Sequence, residues 1–162
     1  MIEGDAVIHE VRLPVTPNEA FEMFVDPARL VRWIGISAEL EPHPGGRFRF
    51  EVMPGQFCEG AYEVVDRPHR LVFTWGWTAE GMGVPPGSSQ VEVTFAPAGN
   101  APTNDATDLR LVHRGLGAHA RPLHDDGWTR FLDRLTAVAN NAPPAPYPTE
   151  TPDQTRRWLS TS

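Results

Sequence analysis

The 162-residue sequence has a one-domain length, and its 40% hydrophobic and 22% charged residues match a globular chain and exclude a disordered one. A net charge of −7 argues against general affinity for nucleic acid or an anionic membrane, both of which reward clustered cations. With one cysteine, Cys58, no internal disulfide can form. The acidic start Met-Ile-Glu-Gly-Asp lacks the apolar run of a signal peptide, and no stretch approaches the ~18 apolar residues of a membrane helix, so a soluble cytoplasmic protein is expected.

The first pattern sets Val7, His9, Val11 and Leu13 on one parity against Ile8, Glu10 and Arg12, the alternation of a strand with one face inward. Thr16-Pro17-Asn18-Glu19 then opens a helix: Thr16 caps it, Pro17 suits its first turn and Glu19 can close a capping box. Asp26-Pro27 breaks that helix and starts a second short one, predicted to reach about Trp33.

From there the period is two. Phe48, Phe50 and Val52 alternate with Arg47, Arg49 and Glu51 after the turn Pro44-Gly45-Gly46, and Phe57 to Val65 follows as another strand. Leu71, Phe73, Trp75 and Trp77 share one parity, as do Val91, Val93 and Phe95, and then Leu109, Leu111 and His113. Residues 96–107 read as a loop. Strands joined by turn residues with no helix between them predict an antiparallel meander. Trp128, Phe131, Leu132, Leu135, Val138 and Ala139 recur at helical spacing, and Asn140-Asn141-Ala142-Pro143-Pro144 ends that helix, the natural cover for an apolar sheet face. A domain over 1–141 is expected, followed by a proline-rich tail, 142–162, in which a short helix could run through Trp158 and Leu159.

Several strings, in this order, resemble a known family: Val15-Thr16-Pro17-Asn18-Glu19-Ala20-Phe21, Asp26-Pro27-Ala28-Arg29-Leu30-Val31-Arg32-Trp33, Gly45-Gly46-Arg47-Phe48, Arg70-Leu71-Val72-Phe73-Thr74-Trp75, Leu109-Arg110-Leu111-Val112-His113-Arg114-Gly115-Leu116 and Gly127-Trp128-Thr129-Arg130-Phe131-Leu132-Asp133-Arg134-Leu135. The chain is similar to bacterial single-domain members of the START-like, helix-grip (SRPBCC) superfamily, in the branch of the C-terminal domain of the activator of Hsp90 ATPase. That resemblance implies an α+β helix-grip fold. A curved antiparallel sheet of six or seven strands would wrap a long C-terminal helix, with a cavity between them and two short helices after the first strand. Members of the superfamily include carriers of hydrophobic ligands, cyclases and dehydratases of aromatic polyketides, and proteins that protect against a bound natural product, so fold alone leaves the activity open.

The residues that could carry chemistry are mostly aromatic. Phe48, Phe50, Phe73, Trp75 and Trp77 on inward parities would face Trp128 and Phe131 of the helix, with Trp33 as one lip. Rings in such positions usually fill a core; with the cavity that the resemblance implies, they become a binding site for a small apolar or aromatic molecule. His113 and His9 share inward parities, and either could anchor a ligand, carry a proton or sit as a buried neutral imidazole. Glu59 is a candidate acid or base only if it points inward.

Cys58 lacks a visible base and reads as a small buried thiol. No metal site is expected, with one cysteine and no close histidine pair, and no cofactor motif is present. The absence of lysine excludes Schiff-base catalysis. The expected function is therefore ligand binding. A cyclase- or dehydratase-type enzyme in the same cavity is the first alternative, with catalytic residues unassigned, and an Hsp90-activator-like interaction module the second. An aromatic tail could also mediate a homodimer.

Overall fold

The computed structural model describes residues 1–79, 81–98 and 105–145. In chain order its elements are β1 (Ile2–Glu3), β2 (Ala6–Leu13), α1 (Pro17–Val25), α2 (Pro27–Leu30), β3 (Ser37–Leu40), β4 (Arg47–Met53), β5 (Gln56–Asp66), β6 (Arg70–Trp75), β7 (Ser89–Ala98), β8 (Ala106–Arg114) and α3 (Ala120–Ala139). The strands form one antiparallel sheet in the order β1-β2-β8-β7-β6-β5-β4-β3. The sheet, the two short helices and the long C-terminal helix make the helix-grip fold.

The helix starts follow from their caps. Thr16 Oγ1 accepts from the Glu19 amide at 3.2 Å, so one orphan donor of α1 is satisfied. Asp26 both ends α1 and caps α2, its carboxylate accepting from the Ala28 amide at 3.0 Å. α2 stops at Leu30, three residues short of the predicted end, and turns carry the chain on to Trp33.

Eight strands stand where six or seven were expected. The additions, β1 and β3, are two and four residues long, too short to show a period. The 96–107 segment is also less of a loop than its composition suggests, because β7 and β8 extend to pair Ala98 with Ala106. The expected helix through Trp158 and Leu159 lies outside the described residues.

Alternation then does what it predicts. Val7, Leu13, Phe48, Phe50, Val52, Leu71, Phe73, Trp75, Val91, Val93, Phe95, Leu109 and Leu111 are all buried in one core with Trp128, Phe131, Leu132 and Leu135 of α3. Burying a large apolar side chain of this kind stabilises the fold by about 1.5–3 kcal/mol. Irregularities in β4 between Glu51 and Met53 and in β5 between Tyr62 and Val64 let the strands bend around the helix. The bend in β5 also transfers the inward parity from Tyr62 to Val65, which pairs with buried Leu71.

Candidate functional site

β6 carries Trp75 inward at its end, and the inward parity continues one step further to Trp77. Gly76 makes this step: a Cβ there would stand 1.8 Å from the Pro85 carbonyl oxygen, so only glycine lets the 84–86 turn lie against the strand. The turn is fastened by the Trp77 amide, which donates to the Val84 carbonyl at 2.6 Å. On the other side the Glu59 amide donates to the Gly76 carbonyl at 2.8 Å, keeping the segment registered on β5. Trp77 is thereby as buried as a strand residue although β6 ends at Trp75.

Across from these two rings lie Leu123, His124, Gly127, Trp128 and Phe131 of α3, and Met82 closes one side. Together with Trp75 and Trp77 they line a partly open void of about 10 Å³, room for one water molecule. The expected cavity is therefore largely filled in this conformation, because the rings interlock. Trp75 packs on Trp128 with centroids 5.0 Å apart, stands perpendicular to Trp77 at 5.5 Å, and meets Phe50 at 5.5 Å. Larger hollows exist, such as one of about 410 Å³ over Glu10, Arg12, Asp108 and Arg110. That one lies on the outer sheet face, where Arg12 pairs with Asp108 and Arg110 with Glu10.

The polar atoms around the void are paired across the sheet–helix interface. The Trp128 indole N–H donates to His113 Nδ1 at 3.0 Å. His113 must then carry its proton on Nε2, which donates to Ser89 Oγ at 2.8 Å, and the Ser89 hydroxyl donates to the Trp75 carbonyl at 2.8 Å. The Trp77 indole N–H donates to His124 Nε2 at 3.1 Å, so His124 is protonated on Nδ1 and donates to the Ala120 carbonyl at 2.9 Å. Both imidazoles are thus neutral, with tautomers fixed by the indoles that face them. Burial holds the His113 pKa well below its ordinary value, and neighbouring His124 lowers it further. Burial also lowers that of His124, against the raising effect of the Ala120 carbonyl.

One donor is unspent. The Trp75 indole Nε1 is buried and has no hydrogen-bond partner, although its ring forms a wall of the void. α3 contributes a second peculiarity. Gly127 sits in the helix interior, yet a Cβ there would meet nothing within 4 Å, so packing does not require glycine at that position.

Of the residues expected at the site, Trp75, Trp77, Trp128 and Phe131 come together as walls of the void. His113 stands behind them, 5.5 Å from the Trp75 ring. Phe48, Phe50 and Phe73 extend the ring cluster along the sheet, with Phe48 stacked on Phe73 at 4.2 Å. Trp33 is elsewhere: its N–H donates to the Met23 carbonyl at 2.9 Å and its ring meets Phe24 at 4.9 Å. His9 finds a carboxylate that spacing did not reveal, Asp125 Oδ1 at 2.8 Å, and neither of the two lines the void.

Glu59 faces outward, on the side where Arg49 pairs with it at 3.1 Å. Cys58 is fully buried, and burial pushes its thiol pKa up. Among the described residues no group of three His, Cys, Asp or Glu side chains could hold a metal ion, and no helix is long and apolar enough to cross a membrane.

His124 and Gly127 are the residues sequence reasoning missed. His124-Asp125-Asp126 reads as a solvated helix start, yet His124 is buried. Its spacing was the available signal, since positions 124, 128, 131 and 135 continue one helical face.

The comparisons with known proteins agree with this architecture. The family model of activator of Hsp90 ATPase homolog 1-like proteins matches residues 14–140. A similar solved structure is that of an AHSA1-like protein of Rhizobium etli, 37% identical over 90% of this chain and 88% of that one, with a TM-score of 0.68. Two more distant structures share the fold. One is an HSP90 activator from Plasmodium falciparum, 22% identical over 85% of this chain and 97% of that one, TM-score 0.66. The other is the Aha1 dimer from Colwellia psychrerythraea, 12% identical over 83% and 95%, TM-score 0.67. No curated protein matches the chain. With most of its length matched, the chain belongs to the activator of Hsp90 ATPase homolog 1-like family, within the START-like superfamily.

Proposed function

We propose that the chain binds a small apolar or aromatic molecule between the sheet and α3, at the void walled by Trp75, Trp77, Trp128 and Phe131. The observation that carries this reading is Gly127. A glycine inside a helix costs roughly 0.5–1 kcal/mol relative to alanine, and here no neighbour would resist the extra methyl. The position gives up stability and keeps space beside four aromatic rings. Small apolar sites with few polar groups suit such ligands. Entry requires the walls to part, and one of them is Met82, an unbranched adaptable side chain on the segment between β6 and β7.

The alternatives have less support. A cyclase- or dehydratase-type enzyme needs a free proton carrier at the site, whereas both nitrogens of His113 and of His124 are engaged. An interaction module needs a contiguous apolar patch. The large exposed apolar side chains among the described residues are Met1, Ile2 and Ile36, at opposite edge strands of the sheet or beside them. A homodimer like that of the Colwellia relative is compatible with ligand binding.

The test is a titration with naphthalene followed by tryptophan fluorescence. Saturable quenching is expected in the wild type and should be lost in Gly127→Leu, which adds a large side chain at a residue that lines the void. Absence of saturable binding, or identical binding by the folded variant, would overturn the reading. Gly127→Leu is the cleaner block, since Trp75→Ala would remove the centre of the ring cluster at a cost of about 3–5 kcal/mol.

A further inference from the structure

We infer that the ligand is a planar aromatic molecule carrying a hydrogen-bond acceptor, such as a ring nitrogen or a carbonyl, which receives the indole N–H of Trp75. The inference rests on the proposed site and adds the chemistry that the site selects. Three indoles wall or adjoin the void, and two are spent: Trp128 on His113 Nδ1 and Trp77 on His124 Nε2. The two imidazole N–H groups are spent in turn on Ser89 and Ala120. Trp75 Nε1 alone among these ring nitrogens is buried without a partner. The other buried aromatic polar group without one, the Tyr62 hydroxyl, does not border the void.

An orphaned buried donor is an uncommon and costly feature. The indoles and imidazoles around the void offer a single water at most one free N–H donor, short of the two to four partners that a buried water holds. A purely apolar ligand would leave the N–H as it is. A ligand donor would meet side-chain nitrogens that are already engaged. An acceptor satisfies it, and four aromatic walls favour a flat molecule that can lie against them.

Quinoline and naphthalene make the test, because they share a shape and differ by one ring nitrogen that is unprotonated at about pH 7.5. Their affinities are measured by tryptophan fluorescence for the wild type and for Trp75→Phe, which keeps a ring and removes the N–H. The quinoline-to-naphthalene affinity ratio should fall about tenfold in the variant, the order that one hydrogen bond in a dry site supports. The ratio, not either affinity, is the readout, since it cancels the change in ring size.

A second measurement needs no variant to fold. In ¹⁵N–¹H spectra of the wild type, an indole resonance should move downfield with quinoline and stay in place with naphthalene. If both molecules bind and neither the ratio nor any indole resonance distinguishes them, this inference is overturned and the site stands. If neither molecule binds, the site fails and the inference falls with it.

Discussion

The indole N–H of Trp128 on α3 donates to His113 Nδ1 on β8 at 3.0 Å, and this bond fixes both the tautomer of the histidine and the seat of the helix. A second indole–imidazole pair, Trp77 to His124 at 3.1 Å, crosses the same interface in the opposite sense, with the sheet side donating and the helix accepting. The helix is therefore held by two reciprocal bonds beside the void, and the accepting atom in each is the one a proton would occupy.

Trp128→Phe tests the first bond. The ring is largely kept, but His113 Nδ1 is left buried without a donor, which costs about 1–3 kcal/mol. Urea denaturation should show that loss. A cycle with His113→Phe should return a coupling energy of about 1 kcal/mol, since replacing both partners by apolar groups leaves neither end of the indole–imidazole bond unsatisfied. Strictly additive effects would show the bond to contribute nothing to stability.

The two bonds also set a pH dependence. Burial lowers the folded-state pKa of His113 and His124 below their ordinary 6.5, so below about pH 6.5 the unfolded chain binds protons that the folded chain refuses. Their contribution is complete above that pH and is lost as pH falls, by up to about 1.4 kcal/mol per pH unit for each histidine. His9 adds the same sign, its pKa lowered chiefly by burial. The acids near the start of α3 are turned elsewhere, Asp125 to His9 and Asp126 to Arg130. Glu92 acts in a separate window, because the Arg70 bond holds its pKa below the ordinary 4.5 and its contribution fades only in stronger acid. The melting temperature should fall between pH 7 and 5, and the slope should flatten in His113→Asn/His124→Gln. A profile that is level across that range would contradict buried neutral imidazoles.

The sheet and helix were legible because their signals are local. Phe48/Phe50/Val52 and Leu71/Phe73/Trp75 show their burial through parity alone, and Thr16 and Asp26 mark helix starts through side-chain chemistry. β1 and β3 were not legible, since two and four residues carry too few alternations, and both lie at the edges of the sheet. Around the candidate site, the inward placement of Trp75, Trp77, Trp128 and Phe131 could be read from periodicity, whereas Ser89 and His124 join these rings through contacts made 14 and 47 residues away in sequence. Glu59 was ambiguous for a related reason: parity gives two faces, and only the pairing of Cys58 with buried Phe50 decides which is inward. The closure of the cavity depends on how the rings interlock, which no pattern encodes.

Cys58 should be chemically silent in the native protein. Its thiol is fully buried, and burial raises its pKa above the ordinary 9.0, so both access and thiolate fraction are low. A chromogenic disulfide reagent should react at the rate of unfolding and stoichiometrically in denaturant. Rapid reaction in buffer would reveal an opening of the sheet next to Trp77, with which Cys58 forms a bridge.

Gly127 offers the sharpest separation of stability from function. Alanine there removes the helix penalty of glycine, about 1 kcal/mol, and its methyl would meet no neighbour within 4 Å. Gly127→Ala should therefore raise the urea midpoint with an unchanged slope. Gly127 lines the void together with Trp75, Trp77, Trp128 and Phe131, so naphthalene affinity should drop with the added bulk as stability rises, the trade expected where a site keeps space that packing would fill. A variant that is stabilised and binds as well as the wild type would show that Gly127 guards no ligand space. One that is destabilised would show that the helix seats more tightly on the sheet than the 10 Å³ void implies.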